Sequence, residues 1–127
     1  MSTPGFKSVG GVGRIFRAMR YSAQGFQAAF LHEAAFRQEL LLGLFLVPAA
    51  FWLGRSPQET CLLLASYVLV LLVELVNSAI EAVVDRFGPE RHELAGRAKD
   101  LGSAAVMLAF LLLALAWGPV AWARLHG

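Results

Sequence analysis

Three long apolar runs dominate this sequence and leave few folds open to it. They cover residues 40–54, 61–84 and 103–125 and contain few charged side chains. Hydrophobic residues make up 57% of the 127 residues and charged residues only 16%, whereas a soluble domain of this size needs polar groups over a large surface. We therefore expect an all-α integral membrane protein with a single domain over residues 1–127.

Each apolar run predicts one transmembrane helix, because about 20 predominantly apolar residues are needed to cross a bilayer. The first run is too short to span alone, so its helix must begin earlier in the chain. The expected spans are residues 33–54, 58–85 and 100–125.

The segment before the first span predicts a helix of a different kind. Residues 1–13 are rich in glycine and predict a flexible lead. Residues 14–30 repeat apolar side chains at steps of three and four, and Arg14 and Arg17 fall on another face. This pattern is typical of a basic amphipathic helix that lies in the membrane surface.

The two connections between the spans differ in charge. Residues 55–58 form a short turn with one basic residue, whereas residues 85–100 contain four basic residues and the helix breaker Gly88-Pro89. Nine of the eleven basic residues lie either before the first apolar run or in the second connection. Only Arg55 and Arg124 lie at the opposite ends of the spans. Because basic residues accumulate on the cytoplasmic side, we expect the amino terminus and the second connection to face the cytoplasm from a bacterial inner membrane.

Charge and cysteine content exclude several classes of protein. A net charge of +2 is too small to indicate a nucleic-acid-binding protein. The single cysteine, Cys61, excludes an internal disulfide and a cysteine-cluster metal site. The sequence also lacks a Walker glycine-lysine loop and the protein-kinase motifs, so any nucleotide must bind at an unrelated kind of site.

Four polar residues form a stripe along the second span. Glu74, Asn77, Glu81 and Asp85 are spaced by 3, 4 and 4 residues, which places them on one helix face. A charged side chain in a membrane helix costs about 2.5–3.5 kcal/mol on insertion scales. Such a stripe therefore predicts a functional site that faces other helices, a partner subunit or a watery cleft, with polar contacts between helices as the alternative.

Further charged residues are expected at the cytoplasmic depth of Glu81. Glu33 lies at the mouth of the first span, and its carboxylate with that of Glu81 and the Asn77 amide oxygen would suit Mg²⁺. Lys99 and Asp100 precede the third apolar run and are candidates to hold a phosphate and a metal. Carboxylates, an amide and basic groups at one depth fit phosphoryl transfer, although an interfacial Glu33–Arg37 ion pair and a Lys99 membrane anchor remain open.

Three segments together resemble the prokaryotic integral-membrane diacylglycerol kinases. They are HEAAFRQE at 32–39, VELVNSAIEAVVDR at 73–86 and HELAGRAKDLGSAA at 92–105. The resemblance implies a homotrimer with active sites between subunits at the cytoplasmic boundary. It also implies transfer of the γ-phosphoryl group of MgATP to the free hydroxyl of diacylglycerol, giving phosphatidic acid and ADP.

The resemblance also implies a role for particular residues. Glu74 is the implied general base, and Glu33 and Glu81 are the implied metal ligands. The residues implied at the nucleotide are Arg14, Tyr21, Asn77, Glu90, Arg91, His92, Lys99 and Asp100. The residues implied at the lipid are Arg14, Ser22, Ala35, Gln38, Glu39, Glu74, Ser103 and Trp117.

Three other functions compete with this prediction. An undecaprenol kinase would use the same chemistry on a longer alcohol, and the match at 34–39 favours diacylglycerol over it. An oligomeric ion or proton channel lined by Glu74 and Glu81 would use membrane carboxylates differently. A non-catalytic assembly subunit would not need the Glu74 carboxylate at all.

Overall fold

The protein consists of helices in the computed structural model, which describes residues 11–88 and 92–127. The helices are α1 (Gly11–His32), α2 (Ala34–Leu53), α3 (Pro57–Arg86) and α4 (Glu93–His126). The chain divides into two compact units between Glu33 and Ala34, the first containing α1 and the second containing the other three helices. Residues 11–13 belong to α1 rather than to the predicted flexible lead. The rest of that lead, residues 1–10, and the predictions for Glu90 and Arg91 lie outside the described residues.

Helices α2, α3 and α4 are each long and apolar enough to cross a membrane. Most of their large apolar side chains are exposed, among them Leu44, Phe45 and Met107, as expected where lipid rather than water surrounds the helices. The predicted all-α architecture is confirmed, with three helices that are long and apolar enough to span a membrane. The chain is a membrane protein.

Local signals determine where α3 begins and ends. Ser56 caps its amino terminus, because the Ser56 hydroxyl accepts a hydrogen bond from the Glu59 N–H at 3.1 Å. Pro57 follows as the first helical residue, where its missing N–H is harmless. The helix ends at Arg86, and Gly88 then adopts a φ of 101°, which glycine tolerates.

Helix α4 begins at Glu93, well before the predicted start at residue 100. The His92 ring caps it by accepting a hydrogen bond from the Leu94 N–H at 3.0 Å. The first turns of α4 are polar, so the apolar run marked only the later part of the helix. Much of the predicted connection over residues 85–100 is therefore helical.

Helix α3 packs along both α2 and α4, which contact each other little. Near the 54–56 turn the three helices enclose an apolar cluster of Ala50, Leu53, Leu63 and Val120, called the apolar end below. Leu63 and Ala50 are fully buried there. This arrangement fixes the face that α3 turns toward its neighbours.

A tryptophan joins α4 to α3 beside the apolar end. The Trp117 indole N–H lies 3.2 Å from the Leu63 carbonyl oxygen and 3.1 Å from the Ser66 hydroxyl oxygen. The Ser66 hydroxyl in turn donates to the Leu63 carbonyl at 2.8 Å. These bonds satisfy polar groups that lipid could not satisfy.

Candidate active site

The buried face of α3 runs from Leu63 to Glu74 and continues into the polar stripe. Glu74 is only 6% exposed, Asn77 and Glu81 are half-buried, and Asp85 is exposed. Burial therefore decreases along the stripe toward the end of α3. Glu74 is thus the least solvated of the four.

A second buried carboxyl group meets Glu74 from the neighbouring helix. Glu39 of α2 is 7% exposed, and its side chain lies within hydrogen-bonding reach of the Glu74 side chain. Among the described residues, no N–H or O–H group donates to Glu39 Oε1. We call Glu39 and Glu74 the carboxyl pair.

Tyr67 and Gly43 fix the position of Glu39. The Tyr67 hydroxyl donates a hydrogen bond of 2.8 Å to the Glu39 backbone carbonyl. The Tyr67 ring and hydroxyl lie so close to Gly43 that a β-carbon there would overlap them. A residue without a side chain at position 43 therefore lets α2 approach α3 at this level.

Asn77 makes a similarly close contact with α4. Its amide oxygen Oδ1 lies against Gly102, where a β-carbon would overlap it. This oxygen is buried, and within residues 11–88 and 92–127 it has no hydrogen-bond partner. An unsatisfied amide oxygen one turn from the Glu81 carboxylate is a suitable ligand for a hard cation.

An ion pair connects the polar ends of α3 and α4. The Lys99 ammonium lies 2.8 Å from Asp85 Oδ1, and Glu81 is near enough to act electrostatically on Lys99. Both partners of the ion pair are exposed, so their charges remain accessible to a ligand from water. The structure thus brings the predicted residues Glu81 and Lys99 together, and Asp100 follows as an exposed residue.

The predicted residues of the first unit lie along α1 and at its end. Arg14, Tyr21 and Ser22 are exposed on α1. Glu33 directly follows α1 and is half-buried, and its N–H donates to the Ala29 carbonyl at 2.9 Å. Because this unit is separate, the predicted pairing of Glu33 with Glu81 stays a prediction.

The predicted lipid-binding residues do not form one cluster in the second unit. Ala35, Gln38 and Ser103 are exposed, and Ser103 follows Gly102 beside Asn77. Trp117 lies about 20 Å farther along α4, given a rise of about 1.5 Å per residue, at the apolar end. Its indole N–H is already bonded to α3.

The described residues contain no group of three or more His, Cys, Asp or Glu side chains that could hold a metal. This finding does not conflict with the magnesium prediction, because Mg²⁺ is usually bound by one or two carboxylates together with substrate phosphates. The Glu81 carboxylate and the unpartnered Asn77 oxygen fit such a small set of protein ligands.

The roles of Tyr67 and Gly43 were not predicted from the sequence. Tyr67 precedes Glu74 by seven residues, and Gly43 follows Glu39 by four, so each lies on the same helix face as its carboxyl group. That spacing was a usable signal. No sequence feature indicated that Glu39 and Glu74 would meet.

The fold and the site define an all-helical membrane protein with carboxyl groups buried between its spans. The model of the prokaryotic diacylglycerol kinase family matches residues 20–121. The chain belongs to the prokaryotic diacylglycerol kinase family.

Three relatives are similar over nearly their whole length. The chain is 50% identical over 114 residues to the diacylglycerol kinase of Escherichia coli strain K12, covering 90% of this chain and 93% of that protein. It is 49% identical over 120 residues to the diacylglycerol kinase of Pseudomonas aeruginosa, covering 94% and 98%. The diacylglycerol kinase of Haemophilus influenzae is 46% identical over 110 residues, covering 87% and 93%.

Proposed function

We propose that this chain is a diacylglycerol kinase of the prokaryotic inner membrane. It transfers the γ-phosphoryl group of ATP to the free hydroxyl of 1,2-diacylglycerol, and the products are phosphatidic acid and ADP. Membership of the family makes the chain a lipid kinase. The observation that carries the mechanism is a carboxyl group, that of Glu74, buried inside a membrane helix bundle.

Glu74 acts as the general base. Its position on the buried face of α3 suits a substrate that arrives from the bilayer, and a poorly solvated carboxylate is a stronger base than one in water. Glu74 accepts the proton of the lipid hydroxyl while the oxygen attacks the γ-phosphorus. The bond between the γ-phosphorus and the bridging oxygen then breaks, and ADP leaves.

The nucleotide binds at the polar ends of α3 and α4. Glu81 and Glu33 would hold Mg²⁺, and the unsatisfied Asn77 oxygen supports this assignment. When bound there, the ion would neutralise part of the phosphate charge. Lys99 and Asp100 contact the nucleotide, and the other proposed contacts are Arg14, Tyr21, Glu90, Arg91 and His92.

The enzyme works as a homotrimer with its active sites between subunits. Helix α1 lies as an amphipathic helix on the cytoplasmic membrane surface, and the amino terminus and the second connection face the cytoplasm. The lipid cleft uses Arg14, Ser22, Ala35, Gln38, Glu39, Ser103 and Trp117. The exposure of Ala35, Gln38 and Ser103 in one protomer supports their contact with lipid or with a partner subunit.

The direct test is phosphorylation by purified protein in mixed micelles. We expect transfer from MgATP to dioleoylglycerol, with little transfer to undecaprenol under the same conditions. A preference for undecaprenol would replace the proposed substrate with the longer alcohol. Absence of transfer, together with nucleotide-independent ion flux in liposomes, would replace the kinase with a channel.

A further inference from the structure

Two carboxyl groups that are both nearly fully buried occupy one small space between α2 and α3. Glu39 and Glu74 are 7% and 6% exposed, and their side chains are within hydrogen-bonding reach of each other. Two negative charges so close together in a buried site repel strongly, and each would also lose hydration. The pair is therefore stable only when at least one carboxyl group carries a proton.

The unsatisfied oxygen of Glu39 supports the same conclusion. No donor among the described residues reaches Glu39 Oε1, yet buried polar atoms almost always have a partner. A proton on one member of the carboxyl pair supplies the missing donor. The hydrogen bond then joins a neutral acid to a carboxylate, which is a strong kind of hydrogen bond.

The surroundings distinguish the two members. Glu39 is held in place through its backbone, because Tyr67 donates to its carbonyl and packs against Gly43. Glu74 lies on the stripe that leads to Glu81 and the nucleotide end. Glu39, which is held in place, therefore suits the role of hydrogen-bond donor. Glu74, which lies on the stripe, suits the role of base.

We propose that Glu39 is a positioning residue whose neutral carboxyl group donates a hydrogen bond to the Glu74 carboxylate and keeps that base ionised and oriented. This inference rests on the proposed kinase function and adds a positioning role to the lipid contact proposed for Glu39. During transfer, Glu74 takes the proton of the lipid hydroxyl while Glu39 keeps its own. Both carboxyl groups are then neutral, and the proton on Glu74 passes to water to restore the pair.

Substitutions at position 39 distinguish a residue that donates a hydrogen bond to Glu74 from one that supplies a titratable proton. A glutamine amide donates the same hydrogen bond without a titratable proton, so Glu39→Gln should retain most of kcat. Glu39→Leu has no donor and should lower kcat by about 10- to 100-fold, the value of a hydrogen bond to a charged group. The KM for MgATP should change little in either variant, because the nucleotide end is untouched.

Glu39→Asp is a second comparison that does not depend on recovering the leucine variant. Aspartate keeps the acid but is shorter, so it should lower kcat more than glutamine does. Glu59→Gln is the matched control, because Glu59 pairs with Arg55 at the opposite end of α3. If neither the parent nor this control phosphorylates lipid, the proposed kinase function is wrong, and that outcome is distinct from a failure of the role assigned to Glu39.

Infrared spectroscopy gives a readout besides activity. The parent protein should show the carbonyl band of a neutral carboxylic acid at neutral pH, and Glu39→Gln should lack it. An active parent in which glutamine impairs kcat more than aspartate, or in which the acid band survives Glu39→Gln, would overturn the inference.

Discussion

The same three helices pack in two different ways along their length. At the apolar end, Leu63 and Ala50 are fully buried among aliphatic neighbours, and the Trp117 N–H is bonded to α3. Around the carboxyl pair, two oxygens, Glu39 Oε1 and Asn77 Oδ1, are buried without a partner in the described residues. One region satisfies its polar groups within the described residues, and the other leaves two buried oxygens without a partner there.

This difference assigns stability and chemistry to separate regions. Lipid is as apolar as leucine, so membrane helices associate through close packing and through hydrogen bonds between them. The apolar end provides such contacts, and Gly43 and Gly102 permit close approach beside the polar residues. The unsatisfied groups near Glu74 lower stability there and are retained, in this account, because catalysis uses them.

The largest expected effect is that of Glu74→Gln on turnover. Glutamine keeps the shape of the side chain but cannot accept the hydroxyl proton, so kcat should fall by about 10²- to 10⁴-fold. Phosphatidic acid formation in mixed micelles measures it, with Glu59→Gln as the control for the same substitution at the other end of α3. Parent-like turnover in Glu74→Gln would favour a non-catalytic subunit.

Leu63→Ala should show the opposite profile, with a loss of stability and no specific loss of catalysis. Removing a fully buried side chain leaves a cavity, and we expect a cost of about 2 kcal/mol or more in the free energy of unfolding. Denaturant unfolding in detergent measures this cost. The kcat of the folded fraction should match that of the parent, and a selective fall in kcat would show that the two regions are not separate.

Gly43→Ala tests the close approach of α2 and α3. The added methyl group would overlap Tyr67, so the helices must move apart at a cost of about 1–3 kcal/mol. Thermal unfolding measures it against Gly118→Ala, since position 118 has nothing within 4 Å in the chain. Equal melting temperatures for the two variants would contradict the packing described here.

Trp117→Phe should have the smallest effect on stability. It removes the indole donor to Leu63 and Ser66, which should cost about 0.5–1.5 kcal/mol. Trp122→Phe is the comparison, because Trp122 is exposed and stacks on His126. If Trp117→Phe leaves the melting temperature unchanged and raises only the KM for lipid, the main role of the Trp117 side chain is contact with lipid.

The spans could be predicted from the sequence, because an apolar run of sufficient length has few alternatives to a membrane helix. The start of α4 at Glu93 could not, since its first turns carry charges such as Arg97 and no apolar pattern. The burial of Glu74 followed from the cost of exposing a charge to lipid. The meeting of Glu39 with Glu74 depends on how α2 crosses α3, and a single sequence does not give that register.

The most direct test of the account measures MgATP affinity and turnover on the same preparations of Glu33→Gln, Glu74→Gln and Glu81→Gln. We predict that Glu74→Gln binds MgATP as the parent does and has almost no turnover, because the base is lost and the metal ligands remain. Glu33→Gln and Glu81→Gln should lose both. An equal loss of MgATP binding in all three variants would contradict the assignment of Glu74 as the base.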